Sequence, residues 1–448
     1  MAKVRIGMMT TKLKHIDIYS NNRLIGHLTK QSNFVLSYKK DIDNEPDFIN
    51  NQVNPLSFAA NFTENRIYQS ASLNKFPFLT SSFPEGFLLE KLSQGLREKK
   101  DFNFHIDLML MLALFGDNQI GRLSFKTDNQ SFNEFLSSRQ EKQTSEITLS
   151  DLLSNNSKEC FEHLLNQYLS HFSLTEKTLD EHTLLSGYQP KLSLTNKTSV
   201  HNKKYIVKTF SSKVFDHLSL NEYICLSIAK EAGLPVPNFY LSDDQQLFII
   251  ERFDFMDSSH ILKYGVEDFC SLLNLTSDEK YSSNYSSLLK VMSAINPPDV
   301  ERLFSYIALS ALVKNGDAHL KNFYILYHSA KDVTLAPIYD VVNTAVYPTS
   351  IDKFGKVHFD NFALPSKQGK SRDFPTSQEL IKFGTQFSIN AKPIVERINC
   401  AIENVLKDKR DLFTNEFYDR FSQSLGFRFE HTNILRLNPL PFDNKPNI

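Results

Sequence analysis

Apolar and polar residues alternate through His15-Ile16-Asp17-Ile18-Tyr19 and again from Phe34 to Lys39. A period of two sends successive side chains to opposite faces, so both segments predict half-buried strands. Asn21-Asn22 offers a turn, and Leu24-Ile25-Gly26-His27-Leu28 the returning strand of a hairpin. From Pro84 to Leu96 the period lengthens, with Phe87, Leu88, Leu92 and Leu96 on one helical face. Ile106 to Leu114 reads as a more buried helix, with Gly116 suited to its C-cap and a short strand from Ile120 to Phe125 after it. Gln130 to Asn156 is rich in Ser, Glu, Gln and Lys and reads as a linker, before helical spacing resumes from Phe161 to Phe172.

A second strand-rich stretch opens at Leu184. Leu185 to Leu194 reads as strand, turn, strand, and Tyr205-Ile206-Val207-Lys208-Thr209-Phe210 as a strand with a basic residue inside it. Asn221 to Ala232 is a helix closed by Gly233 and the breakers Pro235 and Pro237. Asn238 to Leu241 and Leu247 to Glu251 are strands. Beyond Phe253 the pattern is mainly helical, apart from a hairpin formed by Phe323 to Tyr327 and Val333 to Ile338. The expected fold class is α+β, a two-lobed protein-kinase-like fold preceded by a small β-rich module. The expected divisions are 1–128 for that module, 129–174 for a linker and helix, 175–258 for a β-rich lobe and 259–448 for a helical lobe. ATP would lie in the cleft between such lobes.

The apolar run Leu303 to Val313 delivers a polar segment, Lys314-Asn315-Gly316-Asp317-Ala318-His319-Leu320-Lys321-Asn322, and Ile338-Tyr339-Asp340 follows. An acid five positions before an amide, with a second acid downstream, is the spacing that phosphoryl transfer needs. That chemistry asks for a base for the incoming hydroxyl and ligands that hold Mg²⁺ against the ATP phosphates. Asp317 is the candidate base, and Asn322 and Asp340 are the candidate metal ligands. Asn-Gly-Asp is also a good turn sequence whatever the function, but polar residues between a buried helix and a buried hairpin favour chemistry. Within the loop, either His319 or Lys321 could touch phosphate, and His319 could equally be a structural hydrogen bonder.

Upstream, Gly187 sits between two short strands, where a missing side chain lets backbone N–H groups approach phosphate; a plain turn is the alternative. Lys208 either snorkels to solvent or points at phosphates. Glu222 either positions that lysine, as in kinases, or is a solvated acid favoured near a helix start. Glu251-Arg252-Phe253 follows an apolar strand at the expected lobe junction, where backbone groups and an aromatic ring would meet adenine.

Composition narrows the class. The 448 residues exceed a single core. A net charge of −1 argues against a protein whose main business is coating nucleic acid, although Lys367, Lys370 and Arg372 make a local basic patch. The four cysteines, Cys160, Cys225, Cys270 and Cys400, are too scattered for a zinc motif or an evident disulfide framework. The apolar run from Ile106 to Phe115 is far short of the roughly 20 residues of a membrane span. Lys3 and Arg5 are followed by no apolar region, so no signal peptide is expected. The expectation is a soluble protein of the cytoplasm with no membrane partner.

Several ordered motifs resemble the HipA family of toxin Ser/Thr kinases. They are Ser-Gly-Tyr-Gln-Pro-Lys (186–191), Ile-Val-Lys (206–208), Asn-Glu-Tyr (221–223) with Ala-Lys-Glu-Ala-Gly-Leu-Pro-Val-Pro ending at 237, Glu-Arg-Phe-Asp (251–254), Gly-Asp-Ala-His-Leu-Lys-Asn-Phe (316–323) and Pro-Ile-Tyr-Asp (337–340). Gly-His-Leu (26–28), Pro-Leu-Ser (55–57), Phe-Pro-Glu-Gly (83–86) and Gly-Arg-Leu-Ser-Phe (121–125) extend the likeness into the N-terminal module. The resemblance implies an ATP- and Mg²⁺-dependent kinase of a toxin–antitoxin pair, linked to growth arrest and persistence. Its substrate would be a protein hydroxyl, with aminoacyl-tRNA synthetases as the substrate class. A HipB-type helix-turn-helix antitoxin would restrain it, and DNA would be met only through that antitoxin. The resemblance makes Ser186, Gly187, Tyr188, Gln189, Pro190 and Lys191 the phosphate loop and Lys208 the phosphate lysine. It puts Glu251, Arg252 and Phe253 at the adenine, Tyr339 in the nucleotide site beside Asp340, and keeps Asp317, Asn322 and Asp340 in the roles given above. The competing readings are a small-molecule phosphotransferase of the aminoglycoside or choline kinase kind, and a catalytically silent corepressor bound to an antitoxin.

Two departures concern regulation. HipA proteins often carry, just before the phosphate loop, a serine whose autophosphorylation shuts the kinase down; two residues before Ser186 this chain has Leu184. The segment between Lys208 and Asn221 is also short for an activation loop. A phosphoserine adds about −1.5 to −2 charges at neutral pH, so one beside a loop that cradles phosphates would repel the nucleotide. Autophosphorylation near the loop is therefore expected on Ser186, with Thr183 second. Mass spectrometry should find Ser186 phosphate in the wild type and none in Asp317→Asn; an unmodified peptide from an active wild type would leave control to the antitoxin alone.

Overall fold

The computed structural model describes residues 11–38, 57–58, 67–70, 76–80, 96, 104, 106–116, 120–137, 147–170, 191–197, 202–210, 215–255, 263–329, 331–351, 357–359 and 361–426. The chain forms two compact units. The first comprises Met1–Ser219, Asn238–Lys280 and Phe323–Ala336, and the second Leu220–Pro237, Tyr281–Asn322 and Pro337–Ile448.

In the first unit, β1 (His15–Ser20), β2 (Arg23–Lys30), β3 (Phe34–Tyr38), β4 (Ile67–Ser70) and β5 (Leu123–Lys126) form an antiparallel sheet in the order β4-β3-β2-β1-β5. The hairpin turns at Asn21 and Asn22, both at positive φ (46° and 67°), a conformation that asparagine tolerates. Ile16, Ile18, Leu28 and Leu36 are buried on the face that alternation assigned to the core. Helix α1 (Leu108–Phe115) packs on β1 and β5, with the Asp107 side chain accepting from the Leu110 amide at 3.0 Å. Gly116 is the C-cap residue of this helix, as expected, but without a left-handed conformation. Its φ of −55° is ordinary helix, and glycine is needed because a Cβ there would stand 1.9 Å from the Phe125 carbonyl oxygen. The helix expected over 84–96 falls outside the described residues except at Leu96, which is buried.

The polar stretch read as a linker contains two helices, α2 (Gln130–Ser137) and α3 (Leu149–Leu153), followed by α4 (Ser157–Ser170). Phe132 and Leu152 bury one anchor each, and Thr148 with Asp151 forms a capping box that starts α3. A single apolar anchor per short helix leaves the composition polar, which is why periodicity missed them.

A second sheet has the order β6-β7-β9-β8, from β6 (Lys191–Lys197), β7 (Asn202–Lys208), β8 (Phe239–Leu241) and β9 (Phe248–Glu251). Tyr205, Val207 and Ile249 from this sheet, with Leu247 just before β9, share one apolar cluster with Ile16, Ile18, Leu110 and Phe132. A third sheet, β10 (Gly265–Asp268), β11 (Tyr324–Ser329) and β12 (Asp332–Leu335), contains the predicted hairpin as its last two strands. The sequence pattern did not reveal β10, because four residues carry too little alternation.

Two buried carboxylates tie distant segments of this unit together. Glu267 on β10 accepts from the Ser57 hydroxyl at 2.8 Å and the Phe58 amide at 2.7 Å. Asp254 receives a two-pronged contact from Arg252, Nε to Oδ1 at 2.9 Å and Nη2 to Oδ2 at 2.6 Å, and the Gly121 amide at 2.7 Å. The Ser57 and Gly121 motifs of the N-terminal module thus have a structural use.

In the second unit, α5 (Leu218–Glu231, whose first two residues belong to the first unit) ends at Gly233, whose φ of +72° allows the Leu234 amide to reach the Ala229 carbonyl at 3.0 Å. Helices α6 (Tyr285–Ile295), α7 (Val300–Leu312), α8 (Ser377–Thr385), α9 (Ala391–Asp408) and α10 (Asn415–Ser424) follow, with a short ribbon of β13 (Pro348–Ile351) and β14 (Val357–Phe359) between α7 and α8. Helix α7 is buried along most of its length and packs against α6, α8 and α9. Among the described residues, no helix is long and apolar enough to cross a membrane.

The Asp254 pair yields a pH-dependent prediction. Burial pushes its carboxyl up, but the Arg252 charge and the hydrogen bonds from Arg252 and Gly121 outweigh that and hold it below the usual carboxylate range. A carboxyl lowered on folding adds stability above its unfolded value of about 3.9, and the contribution disappears as pH falls through the lower folded value. Asp254→Asn strands the buried Arg252 charge and should cost about 3–5 kcal/mol at neutral pH. In urea titrations the gap between wild type and variant should narrow below about pH 4. A gap that stays constant from pH 7 to 3 would refute the ion-pair account.

Candidate active site

Helix α7 ends in a pattern that usually employs glycine. Lys314 takes φ +60°, its amide reaches the Ala311 carbonyl at 3.3 Å, and the Asn315 amide reaches the Ser310 carbonyl at 2.8 Å. These bonds use the last helical carbonyls and turn the chain sharply into the loop. A non-glycine residue in the left-handed region costs about 1–2 kcal/mol, so surrounding contacts must hold it there. Burial lowers the Lys314 ammonium pKa, and its charge lies 5.1 Å from the centre of the Phe374 ring.

Side chains remote in sequence supply those contacts. The Gly316 amide donates to Thr344 Oγ1 at 2.8 Å, and Thr344 returns its hydroxyl (3.1 Å) and its amide (3.0 Å) to the Lys314 carbonyl. Buried Asn315 accepts the Asp317 amide at 3.0 Å. The buried Tyr285 hydroxyl donates to the Ala318 carbonyl at 2.9 Å, and the Tyr339 hydroxyl to the Lys321 carbonyl at 3.3 Å. Asn221 of α5 clamps the segment after Asp340 by accepting the Asn343 amide at 2.8 Å and donating to its carbonyl at 2.9 Å.

Within this frame the Asp317 side chain is 54% exposed, as a group must be to meet an external hydroxyl. The Asn322 amide nitrogen donates to the Asp317 carbonyl at 2.8 Å, which makes its oxygen the atom a cation would use. His319 is buried, with Nε2 3.8 Å from Asp317 Oδ1 and its ring edge-on to Tyr281 at 5.1 Å. Tyr281 donates its hydroxyl to Asp317 Oδ1 at 2.5 Å. Its carbonyl accepts from Arg372 at 2.8 Å. The structure thus gathers Asp317, His319 and Asn322 into one turn, and the Tyr339 bond brings the neighbour of Asp340 onto Lys321. Lys321 itself is buried. Asp340 is half-buried at φ +56°, an unusual conformation of the kind that concentrates at functional sites.

The candidates of the first unit are placed differently. Lys208 ends β7 and is 4% exposed, with its ammonium 5.7 Å from the centre of the Phe248 ring; the snorkelling alternative is therefore ruled out. Lys191 lies directly opposite Lys208 in the strand register. Ser186, Gly187, Tyr188, Gln189 and Pro190 lie outside the described residues, as do Thr183 and Leu184. The Glu251 and Arg252 amides are already bonded to the carbonyls of Asn238 and Lys204, each at 2.8 Å, and the Arg252 guanidinium is engaged by Asp254. Glu222, in the second unit, is fully buried, which removes the reading of a solvated helix-start acid.

Sequence reasoning missed Tyr281, Tyr285, Thr344 and Asn315 as parts of this site, along with the clamping role of Asn221. Asn315 and Asn221 did stand in the quoted segments. The other three carry no local signal, since each is defined only by the backbone it reaches.

The HipA-like C-terminal domain model matches residues 183–408, and the HipA N-terminal domain model matches 16–126. A Sinorhizobium fredii protein named "Putative kinase Y4dM" is 28% identical over 32% of this chain and 38% of its own length. The "Serine/threonine-protein kinase toxin HipA" of Shewanella oneidensis is 26% identical over 36% of this chain and 43% of its own. The chain thus spans less than half the length of either relative. The solved Shewanella oneidensis MR-1 toxin–antitoxin complex of HipA, HipB and operator DNA contains a chain that superposes with a TM-score of 0.63 at 18% identity, covering 92% of this chain and 95% of that one. The two chains share their fold, a β-rich and a helical lobe behind a small N-terminal sheet.

Thr344 gives the sharpest test of how the loop is held. Thr344→Val keeps the shape but removes the acceptor of the Gly316 amide and the donor to Lys314, and should cost about 1 kcal/mol. Hydrogen exchange at the Gly316 amide should accelerate roughly fivefold, the equivalent of about 1 kcal/mol. An unchanged exchange rate would show that the loop does not depend on this bond.

Proposed function

The chain belongs to the HipA family, and on that premise we propose that it is an ATP-dependent protein kinase that phosphorylates a Ser or Thr hydroxyl and arrests growth. The observation that carries this reading is the Asp317–Asn322 turn, which combines an exposed carboxylate with an amide oriented by the backbone of that same acid. In the reaction, Asp317 accepts the proton of the incoming hydroxyl. Tyr281 occupies Oδ1 as a donor, so Oδ2 is the oxygen left for that proton. Asn322 and Asp340 offer the hard oxygen atoms that Mg²⁺ prefers, and such an ion would neutralise charge on the phosphates. Lys208, with Lys191 opposite it and the loop 186–190, is assigned to the phosphates; Phe253 and the carbonyls of Glu251 and Arg252 are assigned to the adenine. His319, buried and edge-on to Tyr281, is assigned to support the base, and Lys321 and Tyr339 to hold the turn.

The target is taken to be a translation component such as an aminoacyl-tRNA synthetase, and the restraining partner a HipB-type helix-turn-helix antitoxin, with DNA met only through it. The shared fold with a chain solved beside HipB and operator DNA supports this partner. Asp317→Asn and Asp340→Asn should each relieve growth arrest and remove the phosphopeptides that appear on brief expression of the wild type. For Asp317→Asn the loss should be at least the roughly 10²–10⁴-fold that general base catalysis supplies, and both variants should keep the wild-type melting temperature. Wild-type turnover in either variant would overturn the assignment. Phosphate on small molecules but on no protein would favour a small-molecule phosphotransferase.

A further inference from the structure

The N-terminal sheet carries a side-chain cluster that phosphoryl transfer leaves unused. His15 and Asp17 stand two apart on β1 and so share a face, and His27 on β2 is the direct cross-strand partner of Asp17. The intervening Ile16 and Ile18 point into the core, which leaves the cluster on the outer face. His15 Nε2 lies 2.9 Å and His27 Nδ1 2.6 Å from the same atom, Asp17 Oδ1. The two rings are 5.2 Å apart, and one donor atom from each residue fits within a span of 4.8 Å. The three side chains are between 21% and 33% exposed, so solvent reaches them while paired strands fix their backbones.

A carboxylate only accepts hydrogen bonds, so each imidazole presents an N–H to that oxygen when no cation is there. The same three groups are the donor set of a site for a divalent cation of borderline softness, with a fourth position open. With both imidazoles neutral the cluster carries one negative charge, which favours a dication. Donors around tetrahedral zinc stand about 3.3 Å apart, so the 2.9 and 2.6 Å contacts need open by about 0.4 and 0.7 Å, with the donor atoms already within 4.8 Å of one another. Facing the cluster, Lys126 on β5 opposes Asp17 but holds its ammonium 5.4 Å from the centre of the Tyr19 ring, and the Ser37 hydroxyl on β3 is turned to the His27 carbonyl at 3.4 Å.

We propose that His15, Asp17 and His27 form a zinc-class metal site that staples β1 to β2 and keeps one coordination position open to an outside donor. The site is independent of the kinase reading, and its test does not use activity. Full-length protein stripped with chelator should bind one zinc ion per chain in equilibrium dialysis against zinc chloride, and its melting temperature should rise on binding. His15→Gln, Asp17→Asn and His27→Gln, each folded by circular dichroism, should weaken binding at least tenfold and lose the thermal shift. The three substitutions should leave any response to magnesium chloride unchanged, because that ion prefers an all-oxygen shell. X-ray absorption of the zinc complex should report only nitrogen and oxygen ligands. Sulfur in the zinc shell, or stoichiometric binding that survives in the His15→Gln/His27→Gln double variant, would overturn the proposal. Absence of zinc binding by the wild type would do the same.

Discussion

A buried backbone amide or carbonyl outside a helix or sheet must still find a partner, and that constraint organises both units of this protein. Leaving such a group unpaired costs about 1–3 kcal/mol, and the irregular segments here meet the demand with side chains from far along the chain. Glu267 takes up the Ser57–Phe58 backbone and hydroxyl, Asp254 takes the Gly121 amide, Asn221 brackets Asn343, and Thr344 brackets Lys314 and Gly316. Each of these bonds joins segments at least 28 residues apart. The irregular loops are consequently as well determined as the strands beside them.

The same constraint separates polar residues with structural partners from the acid proposed as the base. Asn315, Tyr285 and Asn221 are buried, with their polar atoms aimed at backbone. Asp317, by contrast, keeps its carboxylate more than half exposed while its own amide and carbonyl are held. A rigid backbone bearing an exposed acid is the arrangement that pre-organised catalysis requires. Arg252 illustrates the converse. It stands where a nucleotide contact was expected, yet its guanidinium is drawn into a buried pair with Asp254, where both groups escape the cost of unpaired burial.

Much of the architecture was legible from the chain. Alternation located β1 and β3, strand-forming composition beside turn residues located β2, β7, β8, β9 and the β11–β12 hairpin, and the apolar run from Leu303 located α7. Short elements escaped. β10 has four residues, and α2 and α3 each bury little more than Phe132 or Leu152. Their existence depends on capping and on neighbours already in place.

By itself the sequence determined the chemical inventory and its order: an acid, an amide and a second acid around a helix and a hairpin, and motifs specific enough to indicate a family. Spacing along a short loop survives folding, because residues five apart cannot move far from each other. Only the tertiary structure decided which of two roles a residue takes when both suit its local sequence. It buried Lys208 and Glu222, engaged Arg252 with Asp254, and showed that Gly116 serves close approach rather than a left-handed turn. It also brought His15, Asp17 and His27 to one oxygen and set Tyr281 against Asp317. Such pairings depend on strand register and on loop closure over tens of residues, and no local pattern encodes either.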